Sequence, residues 1–312
     1  MRKKKKDTME LRFYEVPQNE YVLALLGDSW IRDYGHDESN LHFHNLMEIG
    51  YCKHGTGELI LNEESKPYEP AMVSIIPQNY PHVTISDSDS GPSFWEYLFF
   101  DPMVMIQELY PDNPVIQKKI LQMVNQKALF FHEWENPGVS VLVKMIMDEM
   151  RQKKKRFHEC VRGLMIALFA ELLRMCENDI AEDEIRKKTG VSQITPALEY
   201  VRNEYANNIR VEELAKASHM SETHFRRVFE SYMNMSPMDY INLMRVQKAC
   251  DIMKKTNDSM DVVAQKVGFT TTSTFNRNFK KYLNTSPYQW KISPENYERK
   301  LLNYNISALK GW

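Results

Sequence analysis

The chain has 312 residues, enough for about two domains. Hydrophobic residues make up 43%, no apolar run nears the ~18 residues of a membrane span, and the basic start Met1-Arg-Lys-Lys-Lys-Lys-Asp leads into no apolar signal core. The formal charge of -2 hides two unlike parts: residues 1–190 hold 23 Lys and Arg against 30 Asp and Glu, and residues 191–312 hold 17 against 12.

A cytoplasmic protein with no membrane contact is expected from this, with a basic C-terminal part suited to DNA joined to a part that is not. The basic excess is modest, so one subunit should bind DNA with limited, salt-sensitive affinity. Cys52, Cys160, Cys176 and Cys250 show no CxxC spacing, which predicts reduced thiols and no cysteine zinc site. At the start, Lys3–Lys6 suits either phosphate contact or a solvated tail.

From Leu11 to about Phe100 the pattern is mostly strand. Leu41–Cys52, Gly57–Leu61, Val73–Ile76, His82–Ile85 and Phe94–Phe100 are short β-rich runs between Gly, Pro and Asp turn signals, which predicts a sandwich or barrel over 1–112. Within it stand His42-x-His44-x3-Glu48-x6-Gly55 and Pro77-x-Asn79-x2-His82. His42 and His44 share a strand face, Glu48 keeps the same parity, and His82 comes from a second strand. Imidazoles with one carboxylate can hold a divalent metal, so His42, His44, Glu48 and His82 are candidate ligands. They also suit a metal-free polar pocket that grips an organic ligand, or hydrogen bonding inside the barrel. Trp95 and Tyr97 share a parity on the next strand, fit to stack on a sugar ring or to fill the core. The two histidine stretches resemble the motifs of cupins, small jelly-roll barrels. Asn79 stands where the second motif has Gly, and Gly35 is one residue too far from the first.

Residues 113–178 turn helical. Val139, Leu142, Val143, Ile146 and Met150 mark one apolar stripe, and Val161, Leu164, Met165, Leu168, Leu172 and Met175 another. A helical pair results, suited to dimerisation or to packing on the barrel. Residues 179–193 are polar and read as a linker.

From 194 to 292 one pattern is written twice. Val211-Glu-Glu-Leu-Ala opens the first copy and Met260-Asp-Val-Val-Ala the second. Phe225, Arg227 and Phe229 answer Phe275, Arg277 and Phe279, and Asn234-x-Ser-Pro answers Asn284-x-Ser-Pro. Each copy predicts a short helix, a tight turn and an amphipathic second helix capped by Ser221 or Thr271. Thr223, Arg226 and Arg227, and Thr272, Ser273, Asn276 and Arg277, lie opposite the apolar stripes. This is the helix-turn-helix pattern, whose second helix meets base edges in the major groove. Met238–Lys255 predicts a connecting helix of roughly 25 Å, enough to set two readers about one DNA turn, roughly 34 Å, apart.

These repeats, with Arg245, Ala249, Val267-Gly268-Phe269 and Ser286-Pro287, resemble the AraC/XylS transcription regulators. The resemblance implies an α+β multidomain chain, with an N-terminal cupin-like effector barrel and a C-terminal all-α DNA-binding domain. It implies DNA contacts at Ser221, Thr223, Arg226, Arg227, Thr271, Thr272, Ser273, Asn276 and Arg277, and an effector pocket at His42, His44, Glu48, His82, Trp95 and Tyr97. It implies a homodimer that works with RNA polymerase, responds to a sugar or related metabolite and activates nearby metabolic genes. No catalysis and no cofactor are expected, a divalent metal being the alternative. A metal-dependent enzyme or metal sensor fused to a DNA-binding part is the second reading. A ligand-free DNA binder is the third. The 293–312 tail carries Leu301, Leu302, Tyr304 and Ile306 and suggests a docking segment.

Overall fold

The structure, a computed structural model, describes residues 10–12, 14, 16–17, 19–27, 34, 41–61, 64–87, 93–180, 193–233, 235–283 and 285–292. The Lys3–Lys6 run, Gly35, Asn234, Asn284, most of the 179–193 linker and the 293–312 tail lie outside them. The chain divides into two compact units, with the described residues from Arg12 to 180 in one and those from 193 to 292, together with Glu10 and Leu11, in the other.

Two five-stranded sheets face each other, built from the first unit apart from the start of the edge strand β1. One has the order β1-β3-β8-β5-β6, from β1 (Glu10–Arg12), β3 (His42–His44), β5 (Gly57–Leu61), β6 (Glu64–Tyr68) and β8 (His82–Ser86). The other runs β10-β7-β4-β9-β2, from β2 (Leu23–Leu25), β4 (Met47–His54), β7 (Met72–Ile76), β9 (Phe94–Phe100) and β10 (Leu129–His132). Strict alternation serves both faces of the second sheet. Met47, Ile49, Tyr51, Leu98 and Phe100 join the core that the helices cover, while Glu48, Trp95, Tyr97 and Phe99 turn the other way.

Two expectations are corrected here. Leu41–Cys52 is not one strand: the chain breaks at Asn45–Leu46 and passes from one sheet to the other. Residues 113–178 are not wholly helical, because β10 pairs antiparallel with β7, Phe131 opposite Val73. A four-residue strand of Leu, Phe, Phe and His carries too little alternation to be told from a helix turn. Edge strands β2 and β6 went unpredicted for the same reason.

Helices α1 (Pro102–Leu109), α2 (Pro114–Val124), α3 (Pro137–Gln152) and α4 (Phe157–Ile180) cover the second sheet. Asp101 and Asn113 cap the first two, each followed by a Pro whose missing N–H costs nothing there. The α3 stripe Val139, Val143, Ile146 and Met150 is buried, as are Val161, Met165, Leu168 and Leu172 of α4. All share one core with Ile49, Val73 and Leu98 of the sheet. The stripes weighed as a dimer seam are therefore covered by this chain's own sheet. Burying each such side chain stabilises by roughly 1.5–3 kcal/mol, so the sheet claims them first.

Apart from Glu10 and Leu11, the second unit is all helix: α5 (Thr195–Glu204), α6 (Val211–Ala217), α7 (Glu222–Met233), α8 (Pro237–Lys255), α9 (Met260–Lys266), α10 (Thr272–Leu283) and α11 (Pro287–Ile292). The repeat spans three helices. Ser236 and Ser286 each accept the backbone N–H three residues on, from Asp239 and Gln289, and a Pro opens both α8 and α11. Phe225, Phe229, Phe275 and Phe279 are fully buried, with ring pairs 5.3 and 5.5 Å apart in the two copies. The left-handed turn residue is Gly268 in the second copy and His219 in the first, at φ 89° and 56°.

Candidate functional site

The second helix of each unit buries its phenylalanines and exposes the opposite face. Thr223 and Arg227 of α7, and Ser273, Asn276 and Arg277 of α10, are exposed; Arg226 and Thr272 are half-buried. Ser221 and Thr271 stand just before the two helices. Ser221 Oγ accepts from His224 N at 3.4 Å, and Thr271 Oγ1 from Thr274 N at 3.2 Å. These oxygens satisfy donors that helix starts otherwise leave free for phosphate.

The copies differ electrostatically. Arg226 donates from Nε at 3.0 Å and Nη2 at 2.7 Å to Glu222 Oε1, one turn back. The i,i+4 spacing of that pair is visible in the sequence but was passed over there. Arg227 reaches His224 Nδ1 at 3.2 Å. In the second copy Thr272 takes Glu222's place and donates to Asp261 of α9, which anchors α10 to its neighbour. Thr272 thus serves the fold, and α10 starts without a carboxylate.

In the first unit, His42 and His82 face each other across the β3–β8 ladder, rings 4.2 Å apart. Glu48 enters from the opposite sheet. Its Oε2 lies 3.1 Å from His44 Nε2 and 3.6 Å from His82 Nε2. The parity expected from the sequence holds across the chain break because both strands turn these positions inward.

Hydrogen bonding fixes the tautomers. His44 Nδ1 donates to Leu46 O at 2.7 Å and His82 Nδ1 to Tyr80 O at 2.9 Å. A neutral imidazole has one N–H, so each Nε2 then turns a lone pair toward the same carboxylate. The trio is satisfied by a further proton on an imidazole or by a divalent cation. Burial pushes His44 below the ordinary histidine range, against the pull of Glu48. Burial raises Glu48, but His82 and His44 outweigh it and bring it down to about 2. Donor atoms of His42, Glu48 and His82 come within 4.8 Å of one another, whereas His44 falls outside that set. Three ligands from three strands fit a divalent metal, and the Tyr80 carbonyl supplies His82 with the outer hydrogen bond such a ligand needs.

Trp95 and Tyr97 lie nearly parallel, 12° apart, with centroids at 6.3 Å. Gly50 makes room for them: a Cβ there would sit 3.1 Å from each ring and 2.5 Å from Ser74 Oγ. All six expected pocket residues are at most 4% exposed. What covers them includes two tyrosines that sequence reasoning missed. Tyr14 stacks on Phe99 at 4.3 Å and leans on His44, while its backbone N–H and C=O both bond the Asn45 side chain. Tyr34 accepts a hydrogen bond from Tyr97 Oη at 3.3 Å, and burial pushes both hydroxyls up, so they stay neutral. Neither tyrosine belongs to a periodic run, so nothing in the sequence marked them. The Asn79 departure is absorbed by the backbone: its φ is 59° and its N–H bonds His44 O at 2.8 Å. Asn tolerates that left-handed conformation.

Residues 214–292 match the family profile described as a helix-turn-helix domain. The second unit is an AraC-type helix-turn-helix domain. Relatives match beyond it. An uncharacterised HTH-type transcriptional regulator of Haemophilus influenzae is 24% identical over 80% of this chain and 86% of its own length. The HTH-type transcriptional regulator MtrA of Neisseria gonorrhoeae is 25% identical over 86% of this chain and 92% of its own. The raffinose operon regulatory protein RafR of Pediococcus pentosaceus is 21% identical over 78% and 84%. The chain is thus similar along most of its length to DNA-binding transcription regulators. Among the described residues, no helix is long and apolar enough to cross a membrane.

Proposed function

We propose that the chain is a transcription regulator whose barrel binds a small polar effector and whose two helix-turn-helix units read double-stranded DNA. The observation that carries this is the pairing of two like recognition helices with exposed polar faces in one unit and a buried polar and aromatic interior in the other. The interior joins three histidines, Glu48, Trp95 and Tyr97. Flat rings with polar partners suit a carbohydrate or related metabolite, and one of the matched relatives is named for a raffinose operon. The effector acts only by favouring one arrangement of the chain over another, with a coupling of roughly 1–3 kcal/mol. Two copies, recruitment of RNA polymerase, activation of nearby metabolic genes and a cytoplasmic setting complete this reading. The copies would meet through faces of α3 and α4 other than the buried stripes.

The convergence of His42, Glu48 and His82 favours a second reading in which the barrel holds a divalent metal. That metal would supply a fixed charge able to polarise a bound oxygen, as a metal sensor or a metal-dependent enzyme requires. A thermal-shift panel of sugars, sugar acids, phosphates and divalent salts, with and without chelator, separates the two. A ligand at about 100 times its Kd adds roughly 2.7 kcal/mol and raises the melt by a few degrees. A sugar shift that chelator leaves unchanged supports the organic effector. A shift with metal alone overturns it in favour of the metal.

A further inference from the structure

Arg245 is a buried guanidinium, 8% exposed, in the middle of α8. Its Nε donates to Tyr205 O and its Nη2 to Asn207 O, both at 2.8 Å. Both carbonyls belong to the α5–α6 connection, ahead of the first helix-turn-helix. The guanidinium carbon also stands 5.6 Å from the centre of the Phe269 ring, in the α9–α10 turn of the second. Next to Phe269 is Gly268. A Cβ there would lie 2.7 Å from Ala206 O and 2.8 Å from Tyr205 O, so the turn rests directly on the same connection. One side chain therefore touches both the connection that leads into the first DNA-reading unit and the turn of the second, from the helix that links the units.

A second tie closes the other end. Lys281 of α10 pairs with Asp239 in the first turn of α8 at 2.5 Å, and Tyr282 Oη donates to Asp239 O at 2.9 Å. Between the ties lies a cleft of about 780 Å³, lined among others by Asn208, Asn242, Arg245, Gly268, Arg277 and Lys281. Burying a guanidinium is costly unless its donors are met. Here two backbone carbonyls take Nε and Nη2, and the Phe269 ring lies against the group. A planar fork holds two chain segments at one mutual angle, which a lysine ammonium does not.

We propose that Arg245 is a positioning residue that fixes the spacing and rotation at which α7 and α10 meet DNA. The two units then act as one rigid reader, and operator spacing is set by the protein rather than chosen by the DNA. This rests on the reading that both units contact one duplex.

The test starts from a duplex library with a randomised core of about three helical turns, ~30 base pairs. Full-length wild type and Arg245→Lys are selected on it separately. The wild type should return two sequence elements at one fixed separation. Arg245→Lys should return the same two elements at several separations. If the variant returns the single wild-type separation, the proposal fails. A measurement on the wild type stands without any variant. One base pair inserted between the elements turns the second by about 35° around the axis, and binding should fall at least roughly tenfold. A loss under about twofold overturns the brace. For Arg245→Lys the affinity ratio between the two duplexes should approach one, a change that mere loss of stability does not produce. If the wild type selects only one element, the two-unit reading fails, and the brace fails with it.

Discussion

Arg277 stands exposed on α10 beside Ser273 and Asn276, on a helix whose first turn carries no acid. Arg277→Ala should weaken binding to a selected duplex by roughly 1–3 kcal/mol and relax preference at one position, read by competition titration against single-base variants. Equal loss on every duplex would instead mark a phosphate contact. Asp239 offers a second test. Burial raises its carboxyl, but hydrogen bonds from Lys281 and Ser236 outweigh this and hold it below the ordinary 3.8. A depressed folded value means the stabilisation is complete above pH 3.8 and fades as pH falls through the lower folded value. Denaturant midpoints of wild type and Asp239→Asn should therefore differ at pH 5 and converge as the pH falls below about 3.8. A gap that stays constant would show that the carboxylate charge is irrelevant there.

The elements that came through clearly in the sequence were those with repeated, spaced apolar residues. The Phe225/Phe229 and Phe275/Phe279 pairs fix two amphipathic helices, and the Met238–Lys255 run gives α8, because period is local; α11 was not expected. Strand β5 and strand β9 also fall where alternation placed them. The break at Asn45 did not show, because a chain crossing between sheets keeps its inward parity and so its pattern. Pocket cover was illegible for a different reason. Tyr14 is placed by Asn45 from 31 residues away, and long-range pairing leaves no local period. The first recognition helix differs from the second by Glu222, an acid where phosphates approach. Exposed i,i+4 pairs contribute only about 0.3–0.5 kcal/mol, so the Arg226 tie opens readily while the negative charge stays. Glu222→Gln should tighten non-specific DNA binding and leave the melting temperature nearly unchanged. Filter binding across a salt series checks the first and a thermal melt the second. Weaker binding would mean that Glu222 reads a base, as a carboxylate can at cytosine.

At the scale of the whole molecule, the proposed division of labour between the two units can be tested on each. The residues 191–312 alone should bind the selected duplex without responding to any effector. In the full chain, His44→Ala should leave DNA binding without effector intact and blunt the effector response, checked by titrating the compound that the melt panel identifies. A full response would remove His44 from the pocket. The Gly268 contact also limits what such a chain can become. Solenoid repeats lengthen by copying because each module presents the next with the same surface. Here the modules are not equivalent: the first has His219 where the second has hydrogen alone, pressed against the connection that precedes the first module. The order of the two modules is thus fixed: exchanged, the His219 side chain would meet the α5–α6 connection, where only hydrogen clears the carbonyls.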